Sequence, residues 1–118
     1  MIAMPAISVL NSSLKNELDR ILNIIIENFN PEKVILFGSM ANGNFNESSD
    51  IDLVVIMPTN LRFMERLLHL AQTVKPEVPV DFLVYTPEEE EEFIKNNHLF
   101  YTEEILKKGV ILYEKRKN

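Results

Sequence analysis

The chain has 118 residues, 46% of them hydrophobic and 25% charged, with no cysteine and a formal net charge of −6. That length suits one domain with its own core, and the absent cysteines exclude disulfides and thiolate metal sites and suit a reducing cytoplasm. The acidic balance argues against a broad nucleic-acid surface, and no 18-residue apolar run or secretory leader points to a membrane.

Residues 1–11 carry little pattern and read as a loose lead-in, with Asn11, Ser12 or Ser13 available to cap the first helix. Leu14, Leu18, Ile21, Leu22, Ile25 and Phe29 recur at steps of three and four, which predicts an amphipathic helix that Asn30-Pro31 stops. Val34-Ile35-Leu36-Phe37 is an apolar, β-branched run, so a buried strand is expected over 33–37. Gly38 breaks it where the backbone must turn tightly. If Met40, Ala41 and Asn42 begin a short helix, its free N–H groups and the Ser39 hydroxyl together suit a phosphate. A polar connection over 43–49, opening on the turn pair Asn42-Gly43, leads to the next element.

Asp50-Ile51-Asp52-Leu53-Val54-Val55-Ile56 reads as a second strand. Alternation places Asp50 and Asp52 on one face, with α-carbons roughly 6–7 Å apart, and Ile51, Leu53 and Val55 on the other. Two like charges side by side in an apolar strand repel each other, and a divalent cation between them is the natural remedy. Mg²⁺ takes oxygen ligands and is usually held by one or two carboxylates plus substrate phosphates. A phosphate-suited turn joined to a carboxylate pair therefore points to Mg²⁺-nucleotide chemistry.

A second helix is expected over 61–74, capped by Asn60 and facing inward through Met64, Leu67, Leu68 and Ala71. Pro76 and Pro79 bracket a turn before a third strand over 80–85, on which Asp81 shares a face with Leu83 and Tyr85. Thr86-Pro87-Glu88-Glu89 combines an N-cap, proline at the first helical position and a capping-box glutamate. The five glutamates from Glu88 then read as a solvated first turn that favours the helix dipole, rather than as a metal cluster. A last helix near 98–108 ends at Gly109, followed by a short strand over 110–113 and a basic tail. His69 reads as a helix-surface residue and His98 as a helix entry, and two histidines without cysteine make no zinc site.

Gly38-Ser39, ten intervening residues and Asp50-Ile51-Asp52 on the next strand together resemble the signature of the polymerase β-like nucleotidyltransferase superfamily. The length and flanks resemble its smallest branch, the minimal nucleotidyltransferases, or MNT proteins. The resemblance implies an α/β (α+β) fold, a small mixed sheet flanked by helices. It implies that Gly38 and Ser39 bind the triphosphate, that Asp50 and Asp52 hold two Mg²⁺ ions, and that Asp81 completes the catalytic and metal site. ATP is then the substrate, its AMP passing to an acceptor hydroxyl. Such a short chain leaves no room for the domain with which larger relatives grip base or acceptor. The family's usual partner is a small helical HEPN protein, adenylylated as the toxin of a toxin–antitoxin pair in which the MNT protein is the antitoxin. This sequence departs from the family at Met40 and Asn42, where arginines are common. Two other readings stay open: a binding module that neutralises a partner by contact, and an enzyme that modifies a small molecule. A homo-oligomer is also compatible with the sequence.

Overall fold

The computed structural model describes residues 12–42 and 50–116, so the lead-in, the connection over 43–49 with Gly43 of its turn pair, and the last two residues of the tail lie outside the described residues. The elements are α1 (Ser12–Phe29), β1 (Lys33–Phe37), the short α2 (Ser39–Asn42), β2 (Ile51–Ile56), α3 (Phe63–Val74), β3 (Val80–Tyr85), α4 (Pro87–Lys95), a wide π-type helix α5 (Phe100–Lys107) and β4 (Val110–Glu114). Among the described residues the strands form one mixed sheet in the order β3-β2-β1-β4. β1 is antiparallel to β2 and β4, whereas β2 and β3, joined through α3, are parallel. This is the α+β architecture expected from the sequence.

Strand alternation divides the core between the two faces of the sheet. On one face Val34, Leu36, Leu53, Val55, Phe82 and Val84 pack against the α1 stripe of Leu18, Ile21, Leu22 and Ile25 and against Leu70 and Val74 of α3. Each of these side chains, fully withdrawn from water, contributes about 1.5–3 kcal/mol before the entropy of ordering is subtracted. On the other face Ile35, Val54 and Ile56 lie under Tyr101 and Ile105 of α5, with Phe93 of α4 beside them. No helix among the described residues is long and apolar enough to cross a membrane.

α3 is rotated relative to the expected phase. Leu67 packs against the core as expected, but Met64 and Leu68 are exposed, whereas Arg66, Leu70 and Val74 are buried. Steps of three and four fit either stripe, and Arg66 selects the second. Its guanidinium donates to the Leu61 carbonyl at 2.8 Å and the Val84 carbonyl at 3.1 Å, and to both carboxylate oxygens of Glu89 at 2.7 and 3.2 Å. Its cap also moves. Arg62 rather than Asn60 precedes the first turn, its N–H donating to Glu65 Oε1.

The glutamate run divides in the same way. The Thr86 hydroxyl accepts from the Glu89 N–H and Glu89 Oε1 accepts from the Thr86 N–H, which is the capping box expected here. Glu89 and Glu90 are not merely solvated, however. Glu89 pairs with Arg66, which holds its carboxyl below the usual carboxylate range. Glu90 accepts from Lys33 at 2.8 Å and from the buried Tyr101 hydroxyl, so it ties α4 and α5 to the start of β1. Only Glu88, Glu91 and Glu92 of the run are exposed.

Candidate active site at the open row of the sheet

The registers place Phe37 opposite Asp52 and Asp52 opposite Asp81, and directly opposed residues point to the same side of a sheet. Three transverse rows result on the α4/α5 face. Ile35, Val54 and Leu83 form the second row, and Lys33, Ile56 and Tyr85 the third. The helices cover those two rows through Phe93, Tyr101 and Ile105. The row of Phe37, Asp52 and Asp81 stays open at the end of the sheet, Asp81 exposed and the other two half-buried.

Gly38 closes one side of this row. Its φ of +76° lies in the left-handed region, and a Cβ there would sit 2.2 Å from Asp52 Oδ2. Only glycine lets the backbone press against that carboxylate. Ser39 then opens α2, half-exposed, while Met40 next to it is 1% exposed and belongs to the core under α1. Met40 therefore fills space inside the fold; it does not face the site.

The carboxylates form an electrostatic unit. Asp52 is pushed up to about 6, first by burial, then by the charge of Asp81 and a hydrogen bond shared with it, and least by the charge of Asp50. Asp50, immediately before β2, is exposed. The structure thus brings Asp52 and Asp81 into contact and leaves Asp50 within electrostatic reach. Among the described residues no three His, Asp or Glu side chains already converge on a point that a metal ion could fill. Mg²⁺ does not require that, because phosphate and water oxygens ordinarily complete its octahedral shell. The donor set is all oxygen, and burial together with the neighbouring charge disfavours the ionised form of Asp52, a penalty that a cation would relieve, so the residues present suit Mg²⁺ and not zinc.

One aromatic contact has almost no signal in the sequence. Phe37 and Phe100 stand edge to face with centroids 6.1 Å apart, and Phe100 is 42% exposed. Only the position of Phe37 directly before Gly38 hints at it. A separate cavity of about 650 Å³ lies between the start of α1 and Glu77–Val78, on the side of the sheet away from the aspartates. The charged groups in its wall are already engaged. Arg20 chelates Glu17 at 2.7 and 2.8 Å and caps α3 through the Val74 and Lys75 carbonyls.

The family described as "Polymerase beta, Nucleotidyltransferase" matches residues 19–118. Among solved structures, the chain is similar to a Sulfolobus solfataricus protein assigned by inference to the nucleotidyltransferases, with a TM-score of 0.65 and 19% identity over 100% of this chain and 96% of that one. It is also similar to a chain of a toxin-antitoxin solved with AMP-PNP, with a TM-score of 0.53 and 21% identity over 86% of this chain and 75% of that one. At these identities the likeness concerns the fold alone. No curated protein matches the sequence.

Proposed function

Since the chain belongs to the polymerase β nucleotidyltransferase family, we propose that it transfers AMP from Mg²⁺-bound ATP to a hydroxyl group on a partner protein, as the antitoxin of a toxin–antitoxin pair. The observation that carries this reading is the Asp52–Asp81 pair, held in register on neighbouring strands with Asp52 pressed against Gly38. Gly38 and Ser39 would bind phosphate oxygens. Asp50 and Asp52 would hold two Mg²⁺ ions, which supply the charge neutralisation that phosphoryl chemistry needs, with Asp81 at most a secondary ligand of the ion on the acceptor side. Asp81, the outermost and most accessible carboxylate of the open row, would receive the acceptor proton as the hydroxyl oxygen bonds to the α-phosphorus and the bond to pyrophosphate breaks. A small helical HEPN-type protein is the proposed acceptor, and the fold shared with a toxin-antitoxin component supports looking for one.

The test is incubation of the chain and a coexpressed partner with Mg²⁺ and α-labelled ATP. Label should appear on the partner. Transfer of γ-label alone would make the protein a kinase and overturn the reading. The rival reading, neutralisation by contact, draws on Met40, which is buried where the family commonly carries arginine. It predicts no rise in Tm with Mg²⁺-ATP, whereas a nucleotide-binding enzyme must be stabilised by its ligand.

A further inference from the structure

We infer that Phe100, propped on Phe37, is the platform on which the nucleobase of the bound nucleotide stacks. The inference rests on the proposed reading of the site and adds a part that the aspartates and the glycine turn do not supply.

Phe37 occupies the end of the open row next to Asp52, two strands from Asp81, or about 10 Å at ordinary strand spacing. It also directly precedes Gly38, so the side of the row where phosphate would be held is the aromatic side. The acceptor side is the other end, at Asp81. A nucleoside extending from a phosphate at Gly38 has its sugar and base within reach of Phe37 and Phe100, while the acceptor approaches over β3.

The geometry of the pair leaves a ring face free. The two rings meet at 89°, so one presents its edge to the other and Phe37 can cover at most one face of Phe100. Solvent reaches the remainder, since Phe100 is 42% exposed and its neighbour Leu99 is 65% exposed. A bare aromatic ring beside a charged site is unfavourable in the free protein and suits a flat partner. The backbone agrees, because Phe100 begins the wide helix α5, and π-type winding is rare and frequent at functional sites. Other aromatic residues on this face have neighbours of their own: Tyr85 packs on Phe93 and Tyr101, and Phe93 on His98. Every base has a π-face, so such a platform favours nucleotides over bare polyphosphate with little choice between bases.

Calorimetry with Mg²⁺ and either AMP-PNP or inorganic tripolyphosphate separates the platform from the phosphate site. Phe100→Ala should weaken AMP-PNP by roughly 10-fold, within the range that loss of one stacked base produces, and leave tripolyphosphate unchanged. The chain contains no tryptophan, so Phe100→Trp introduces a single indole. Its fluorescence should be quenched by AMP-PNP and not by tripolyphosphate, which provides a readout in a variant that keeps the ring. Unchanged AMP-PNP affinity in Phe100→Ala, equal weakening of both ligands, or an indole indifferent to AMP-PNP would overturn the platform while leaving the proposed transferase intact. A parent protein that binds neither ligand would overturn both. A change confined to the acceptor's KM would assign Phe100 to the acceptor and overturn its role toward the base.

Discussion

Asp52 and Asp81 face each other across the parallel β2–β3 pair, and burial, then the charge of Asp81 and a hydrogen bond shared with it, raise Asp52 to about 6. Asp52 therefore binds its proton more tightly in the folded chain than in the unfolded one, where its value is near 3.8. The stabilising contribution is complete below about 4 and is lost as pH rises through about 6. In metal-free protein, Asp52→Asn should raise Tm at pH 7 by a few degrees, an effect moderated by solvent at this half-exposed position. At pH 4 the advantage should vanish. Saturating Mg²⁺-ATP should reverse it at pH 7, because the parent then gains a ligand that the variant holds poorly. Thermal melts of both proteins at the two pH values check all three outcomes.

Glu17 and Glu89 act in the opposite direction. Each is lowered, Glu17 chiefly by its hydrogen bonds from Arg20 and Glu89 by those from Arg66, so their contributions are present at neutral pH and fade as pH falls below the ordinary glutamate value. Acid unfolding should therefore be driven from the α1–α3 and α3–α4 junctions and not from the aspartates. Glu17→Gln should flatten the acid limb of the stability curve, measured by urea denaturation between pH 3 and 6.

Gly38→Ala combines a left-handed backbone with a steric overlap on Asp52 Oδ2. The strain should cost about 1–3 kcal/mol, and Asp52 must shift to admit the methyl group. Transfer should fall much further than stability does. A variant with near-parental Mg²⁺-ATP binding and label transfer would show that the glycine serves the turn only.

Asp81→Asn separates binding from chemistry. Mg²⁺-ATP affinity should remain within a few-fold of the parent, since phosphate and water oxygens fill most of the Mg²⁺ shell. Label transfer should drop by on the order of 10²–10⁴, the usual worth of a positioned general base. Loss of binding outright would instead place Asp81 among the primary metal ligands.

Arg66 anchors α3, β3 and α4 together through Leu61, Val84 and Glu89. Arg66→Met should destabilise by about 2–4 kcal/mol, because two carbonyls and a carboxylate lose their donor. Glu89→Gln should cost less, since the Glu89 side chain is only partly buried and its amide still caps α4. Urea denaturation of the two variants gives the ordering.

Much of this fold is legible because local pattern and tertiary demand coincide. The α1 stripe from Leu14 to Phe29 has one phase compatible with its spacing, and Thr86-Pro87-Glu88-Glu89 is a self-contained start whose bonds need nothing from afar. In α3 the pattern is degenerate. Arg66 decides its phase through partners 18 and 23 residues away, which no window of sequence displays. Glu90 departs from its expected solvated state for the same reason, since Lys33 and Tyr101 reach it from other elements. The expected helix near 98–108 forms, but its wide winding leaves no periodic trace in eight residues. Among the site residues, Gly38, Ser39 and Asp52 stand at recognisable positions. Asp81 is legible as a charge on a predicted strand and, through the family resemblance, as the third acid, but the parallel pairing that sets it against Asp52 belongs to the topology.

That pairing ties the site to the order in which the chain assembles. Two neighbouring parallel strands cannot meet through a hairpin, so Asp52 and Asp81 come together only after the intervening α3 has crossed from one end of the sheet to the other. A carboxylate pair made this way depends on contacts distant along the chain, which form late and together with the bulk of the core. An unfolded or half-assembled molecule should consequently have no affinity for Mg²⁺-ATP beyond that of scattered carboxylates. Nucleotide added to a refolding mixture should slow the unfolding of finished molecules and leave the rate at which new ones appear unchanged.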